Sequence, residues 1–199
     1  MLGYLAALKT QTGVIGYIGG LEIPFTRGEI NALRQAIADL DSNARVEYVY
    51  VGDFNDPVKT RQAAEGLMAQ GADILVSAVN LGNFGLYSAV KEHRRPVFIT
   101  TTYTDKYNQA PDNYLTSDLF DFTVTIKEIV GKILKGKKGG YILMEYGEGK
   151  ARYTQFPIHN VSDDLNKKIS EIAKKVEAGE IEVIKNLDEI LPKSYWDKK

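Results

Sequence analysis

The chain has 199 residues, 44% of them hydrophobic, and a formal net charge of −1, an ordinary globular composition with room for one domain or one and a half. The near-zero charge gives no indication of a nucleic-acid or anionic-membrane partner. Cysteine is absent, which excludes disulfides, thiolate catalysis and cysteine-based zinc sites. No apolar run approaches the roughly 18 residues of a membrane span. Residues 1–4 lack the basic and apolar segments of a signal peptide.

Strand-like and helix-like segments alternate along the chain. The apolar run at residues 14–18, bounded by glycines, predicts a buried parallel strand. Thr26 followed three residues later by Glu29 fits a capping box at the start of the next helix. In order, the predicted elements are the end of a helix before residue 10, a strand at 14–18, a helix at 26–40, a strand at 44–51, a helix at 56–70, a strand at 73–79, a helix from the glycine-rich loop 80–85 through 91, a strand at 96–101, an extended segment at 114–117, a helix at 121–134, a hairpin of 140–146 with 151–156, and a helix at 163–178.

This order predicts an α/β fold, a parallel sheet with helices on both faces and Rossmann-like or flavodoxin-like layers. Ligands of such sheets bind at the carboxyl ends of the strands. The segments that follow the predicted strands are therefore the candidate binding loops, namely residues 19–25, 53–55, 80–84 and 102–107.

The sequence offers no catalytic constellation. Of the glycines at 13, 16 and 19, the first two fall before and within the first strand, whereas a dinucleotide fingerprint needs them after it. Residues 147–151 end in Gly-Lys without the Ser or Thr of a phosphate loop. His93 and His159 lie far apart, without a serine or metal-ligand partner in the sequence, and both are predicted at the surface. We therefore predict no catalytic residue, no metal and no cofactor.

Aromatic residues point to a binding surface instead. Five of them fall at predicted strand ends: Phe25, Phe54, Phe84, Tyr103 and Tyr107. Aromatic faces with a few polar groups suit a small ring-containing ligand, although local packing explains any single one of them equally well. Tyrosines within the predicted strands are expected to be buried or half-buried, namely Tyr17, Tyr48, Tyr50 and Tyr141.

Five motifs together resemble consecutive stretches of one known family. They are GYLAAL at 3–8, IGGLEIP at 18–24, YVGDFNDP at 50–57, QGADI at 70–74 and APDNYLTS at 110–117. In this order and near this spacing they resemble the basic membrane protein family of solute-binding proteins, which includes the purine nucleoside receptors. The resemblance implies a type I periplasmic-binding-protein fold, in which two α/β lobes joined by hinge crossovers close on a ligand. Its members are typically lipoproteins that hand nucleosides to an ABC permease, and a related branch includes regulatory proteins.

Compared with that family, most of the amino-terminal lobe has no counterpart in this sequence. The resemblance implies that residues 1–117 form the carboxyl-terminal type of ligand-binding lobe, and residues 118–199 the hinge-crossing and returning segments with a C-terminal helix. Returning segments without their lobe would expose apolar surface. We therefore expect a homo-oligomer or a separately supplied amino-terminal lobe. The resemblance also implies a location outside the cytoplasm.

The polar set after the fourth strand departs from the family. Relatives carry a Val-Asp-x-Asp-Gln run where this chain has Thr-Tyr-Thr-Asp-Lys at 102–106. Tyr103 thus replaces the first acidic position, Asp105 keeps the second, and Phe120 stands where nucleoside receptors often carry a lysine. A site that loses a carboxylate and an ammonium cannot keep the same hydrogen bonds.

Strand-end position and family alignment together predict six contacts to a small-molecule ligand: Glu22, Phe25, Asn83, Phe84 as a stacking ring, and Tyr103 and Asp105 as polar groups. The predicted function is non-enzymatic binding of a nucleoside-like or sugar-like solute for an ABC transporter. Two alternatives remain at this point. One is a regulatory or assembly protein of the same fold that has lost the small-molecule site, and the other is a flavodoxin-like enzyme.

Overall fold

The computed structural model describes residues 1–196. The helices are α1 Leu2–Lys9, α2 Pro24–Asp39, α3 Pro57–Ala69, α4 Asn83–Glu92, α5 Phe122–Leu134, α6 Asp163–Glu177 and α7 Lys193–Trp196. The strands are β1 Val14–Gly19, β2 Arg45–Tyr50, β3 Ile74–Ala78, β4 Phe98–Tyr103, β5 Tyr114–Phe120 and β6 Arg152–Tyr153, and a short 3₁₀ helix spans Tyr107–Gln109.

These strands form one six-stranded sheet in the order β2-β1-β3-β4-β5-β6. The first five strands in that order pair in parallel, and β6 pairs antiparallel with the end of β5. β1 and β3 are buried along their whole lengths, as the continuous apolar runs predict for strands covered on both faces. The predicted α/β fold class is confirmed.

Two hydrophobic cores lie on opposite faces of this sheet. On one face α3 and α4 pack Leu67 and Leu86 against strand residues that include Leu75. On the other face α1, α2 and α6 pack residues such as Ile30 and Ile169 against the sheet. The apolar stripes of these helices therefore form the two-sided cover that the alternating sequence predicts.

The first turns of two helices show how short polar side chains fix helix starts. Asp56 caps α3, because its carboxylate accepts hydrogen bonds from the backbone N–H groups of Val58 and Lys59, each at 3.0 Å. In α2 the predicted capping box is wrong by three residues. Thr26 lies inside the helix, and its hydroxyl accepts the backbone N–H of Ile23 at 3.1 Å. The helix begins earlier because Pro24 supplies a first-turn residue with a helical φ.

The hairpin predicted near residue 146 does not form. Residues 140–145 are not a strand, and only Tyr146 makes a bridge, to Arg152. Tyr141, predicted to be at least half-buried, is 86% exposed. Contact with the sheet is confined to the end of the segment, where the Glu145 carbonyl accepts the backbone N–H of Arg152 in β6 at 3.0 Å, and among the described residues no strand pairs with residues 140–144. A lone extended segment gains no ladder hydrogen bonds.

The final segment is held against α2 by side chains of that helix. The Asn31 amide donates to the carbonyls of Asn186 and Glu189 at 3.1 and 2.8 Å and accepts from the backbone N–H of Leu191 at 2.9 Å. Gln35 bonds the backbone of the same segment twice, through Glu182 and Ile184. The sequence gives no signal for this docking because the two partners are about 150 residues apart.

No side chain of α5 is buried, although the helix is largely apolar. Its exposed hydrophobic residues are Phe122, Ile126, Ile129, Val130, Ile133 and Leu134. We call these six residues the α5 apolar face. Its exposure agrees with the expectation that the segments after residue 117 present unburied apolar surface.

Candidate functional site

The crevice at the carboxyl ends of β1 and β3 is the topological switch point of the sheet. The helix after β1 lies on one face and the helix after β3 on the other, which opens the gap where ligands of such sheets bind. Phe54, in the loop after β2, contacts the loops after β1 and β3. Its carbonyl accepts the backbone N–H groups of Asn80 and Gly82 at 2.8 and 3.1 Å. Its ring packs so closely on Gly20 that a Cβ there would lie 2.2 Å from Cδ1.

A cavity of about 240 Å³ opens beside this crevice, at the ends of β3 and β4. We call it the strand-end cavity. Its lining residues are Val79, Asn80, Leu81, Asn83, Phe84, Tyr87, Thr102, Tyr103, Lys106 and Gln109. The set combines apolar and aromatic surface with a few polar groups, the composition typical of small-molecule sites.

Two of the aromatic side chains that line this cavity are exposed. Phe84, in the first turn of α4, is 54% exposed, and Tyr103, at the end of β4, is 40% exposed. The ring of Tyr103 also packs on Phe120 and Phe122, with centroid distances of 5.1 and 6.3 Å. Tyr103 therefore lines the cavity while an aromatic cluster holds its ring.

The backbone of Tyr103 is strained. Its φ is +76°, and the backbone N–H of Thr104 donates to the carbonyl of Thr102 at 3.1 Å, which makes Tyr103 the centre of a γ-turn. A side chain at positive φ costs free energy, most of all a bulky one. Such conformations persist where the surroundings enforce them and occur often at ligand sites.

The polar groups of the cavity are one cation, amides and hydroxyls. Lys106 and Gln109 come from the loop after β4 and the short 3₁₀ helix. The Tyr87 hydroxyl is buried and makes no hydrogen bond within residues 1–196. Burial, followed by the nearby Tyr114, raises the pKa of Tyr87, so its hydroxyl stays protonated.

The structure brings three of the six predicted contacts together, because Asn83, Phe84 and Tyr103 all line the strand-end cavity. The amide of Asn83 is largely occupied. Its Oδ1 accepts from the Ser77 hydroxyl at 2.7 Å, and its Nδ2 donates to the carbonyl of Val79 at 2.8 Å. Asn83 therefore anchors the loop between β3 and α4, a positioning role beside the cavity.

The other three predicted contacts lie elsewhere. Glu22 is exposed, 3.9 Å from Arg27, and Phe25 is exposed in the first turn of α2, across the switch point from α4. Asp105 accepts the backbone N–H of Tyr107 at 2.7 Å, which stabilises the turn before the 3₁₀ helix. None of the three lines the strand-end cavity. Their contact with a ligand stays a prediction.

Sequence reasoning missed Tyr87, Lys106 and Gln109. Tyr87 follows Asn83 by four residues, so helical spacing places both on one face of α4, which was an available signal. Lys106 lies in the predicted binding loop 102–107, in which the predicted contacts are the aromatic Tyr103 and the acidic Asp105.

A second polar cluster links the sheet to α2 away from this cavity. The Tyr17 hydroxyl donates to the Glu29 carboxylate at 2.6 Å. Burial raises the pKa of Glu29 to about 7; the Tyr17 hydrogen bond opposes this, Asp118 adds to it, and Arg152 opposes it. Arg152 is ion-paired with Asp118. This cluster joins β1, α2, β5 and β6, and it bears on stability rather than on the cavity.

With this fold and crevice, the chain has the architecture of an ABC transporter solute-binding protein. A structure of such a protein from Aeropyrum pernix K1 aligns over 99% of this chain and 65% of its own, with a TM-score of 0.72 and 17% identity. Residues 1–186 match the family described as Bmp, ABC transporter substrate-binding protein PnrA-like, and the chain belongs to that family.

Two curated relatives support the same family assignment. Basic membrane protein A2 of Borrelia garinii subsp. bavariensis is 30% identical over 184 residues, which are 88% of this chain and 53% of that protein. A purine-binding protein of Brucella abortus is 26% identical over 180 residues, 90% of this chain and 50% of that protein. The chain thus spans about half the length of the curated relatives it matches. Within residues 1–196, no helix has the length and apolarity that crossing a membrane requires.

Proposed function

We propose that this chain binds a small ring-containing solute, nucleoside-like or sugar-like, without chemical conversion, as the solute-binding component of an ABC transporter. The observation that carries the proposal is the strand-end cavity, where Phe84 and Tyr103 present exposed rings at the carboxyl ends of parallel strands. The similarity to a purine-binding protein supports a purine or nucleoside as the first solute to test.

Binding would use the two rings and the polar groups between them. A flat ligand ring gains stacking and burial against Phe84 and Tyr103. Thr102, Lys106 and Gln109 supply polar groups to the same lining. Closure of a second lobe over the cavity would exclude water and strengthen these contacts, as in hinge-closing binding proteins.

The proposal also includes a polypeptide that covers the α5 apolar face. Six hydrophobic side chains on one uncovered helix are costly in water, and the matched relatives are about twice as long as this chain. The cover is a second copy or a separate amino-terminal lobe. The assembled protein would act outside the cytoplasm and deliver its solute to a permease.

We infer binding without catalysis because the two histidines lie away from the strand-end cavity. His93 contacts the Arg95 carbonyl at 3.0 Å through Nδ1, and His159 stacks on Tyr107 at 4.2 Å. Neither lines the strand-end cavity. Across the described part of the chain, no group of three His, Asp or Glu side chains could hold a metal ion. The regulatory alternative is not favoured, because the family is described as substrate-binding.

The test is a ligand screen on the full chain by isothermal titration calorimetry and ligand-observed NMR, with nucleobases, nucleosides and sugars. We expect saturable binding of at least one ring-containing solute, which is recovered unchanged after prolonged incubation. Absence of binding across the panel, at ligand concentrations up to the millimolar range, would contradict the proposal. Conversion of the solute would show an enzyme instead.

Native mass spectrometry tests the covering of the α5 apolar face. A dimer of the wild-type chain that is lost in a variant carrying Ile126→Glu and Ile133→Glu supports a second copy. Both side chains are more than half exposed, so the variant should keep its fold. A monomer that exposes the face, shown by binding of a hydrophobic dye that the variant loses, favours a separate lobe. A monomer that does not bind the dye would contradict both the second copy and the separate lobe as the cover of this face.

A further inference from the structure

The strand-end cavity has one charged lining residue, a lysine without an ion-pair partner among the described residues. Its ten lining residues include Lys106 and no aspartate or glutamate. Across residues 1–196, no carboxylate oxygen lies within the 4.0 Å that defines an ion pair with the Lys106 ammonium. The adjacent Asp105 does not line the cavity, and its carboxylate accepts the Tyr107 backbone N–H. A partly enclosed cation of this kind attracts negative charge more strongly than one in bulk water.

The helix that begins at the same cavity also favours an anion. The ten-residue helix α4 begins at the cavity wall with Asn83 and Phe84. The positive end of its dipole therefore lies at the cavity. The first backbone N–H groups of α4 already bond to carbonyls of residues 80–82, so the dipole acts through its potential alone.

From this geometry we propose that the preferred ligand of the strand-end cavity is an anionic ring compound, a carboxylate or a phosphate ester. Its ring lies against Phe84 and Tyr103 and its anionic group beside Lys106. The inference rests on the proposed solute-binding function and names its substrate class. It sets this chain apart from a receptor for neutral nucleosides, because a neutral ligand would leave the Lys106 charge desolvated without compensation.

The test compares ring ligands that differ in charge. We would titrate the full chain with benzamide and benzoate, and with adenosine and adenosine 5′-monophosphate, at low and high salt. The variants are Lys106→Gln and, as a matched control, Lys167→Gln, an exposed lysine of α6 that lies outside the cavity. Benzoate reports on carboxylate recognition and the nucleotide on phosphate recognition.

We expect the anionic member of at least one pair to bind about tenfold tighter than its neutral partner at low salt. That advantage should shrink as salt rises. Lys106→Gln should remove it, whereas Lys167→Gln should keep it.

Three outcomes would overturn the inference. If a neutral ring ligand, or another neutral solute of the screen, binds as well as its anionic counterpart, the proposed function stands and the charge preference is wrong. If Lys106→Gln weakens neutral and anionic ligands equally while the melting temperature is unchanged, Lys106 does not act through its charge. If no ligand of either charge binds, both proposals fail together.

Discussion

Tyr17 in β1 and Glu29 in α2 are joined by a 2.6 Å hydrogen bond in which the Tyr17 hydroxyl donates to the carboxylate. The pair couples the central strand to the helix that follows it. Because burial raises the pKa of Glu29 to about 7, this carboxyl holds its proton in the folded chain at pH values where the unfolded chain has lost it.

The first prediction is therefore that the contribution of Glu29 to stability falls with rising pH. Between the unfolded value of 4.5 and the folded value of about 7, the folded state binds more protons at Glu29, so the free energy of unfolding decreases as pH rises. Glu29→Gln should remove about 3 kcal/mol of this decrease. Urea unfolding at pH 4.5, 6 and 7.5 measures it.

Glu171→Gln, at an exposed position of α6, is the control and should leave the pH profile of the wild type unchanged. Parallel profiles for wild type and Glu29→Gln would show that the Glu29 carboxyl does not titrate in this range.

The second prediction concerns the stacking role of Phe84. Phe84→Ala should weaken binding of a ring ligand about tenfold, because it removes an aromatic face of the cavity. Stability should change little, since the side chain is 54% exposed. Calorimetric titration with the best ligand of the screen measures the affinity. Tyr48→Ala, an exposed aromatic of β2 outside the cavity, should bind normally, and an equal loss in both variants would refute stacking by Phe84.

The third prediction isolates the strain at Tyr103. Tyr103→Gly and Tyr103→Ala both lose the ring contacts with Phe120, but only glycine adopts a φ of +76° without steric cost. The glycine variant should be more stable than the alanine variant by about 1 kcal/mol, the reverse of the usual order in strands. Denaturant unfolding of both variants gives the difference. An alanine variant as stable as the glycine variant would mean that the turn carries no strain.

The fourth prediction is that Asn31 holds the final segment of the chain. Asn31→Ala should lower the free energy of unfolding by about 2–3 kcal/mol, because it leaves two carbonyls and one N–H without their partner. Residues 182–191 should become more sensitive to protease and exchange their amides faster. Arg34→Ala, which removes a single bond to the Leu191 carbonyl, should have a smaller effect. Equal losses of stability in the two variants would show that Asn31 is not the main anchor of this segment.

Local sequence signals identified most of the sheet and the edge at which the cavity opens. The apolar run that becomes β1 and the proline and capping aspartate of α3 carry their structure in a few adjacent residues, and their placement is confirmed. The same reasoning failed at residues 140–145. Whether a short apolar segment becomes a strand depends on tertiary contacts that place it alongside another strand, which the segment itself does not encode.

By itself, the sequence determined the alternation of strands and helices, the parallel sheet and the loops at its carboxyl edge, because these follow from periodicity and turn residues. Only the tertiary structure decided which side chains meet there. Tyr87, Lys106 and Gln109 join Phe84 at one cavity because the loop after β4 folds back beside α4, and Tyr103 lies at positive φ because its turn enforces it. The composition of the site depends on contacts between residues that are distant in sequence, and no local sequence pattern specifies such contacts.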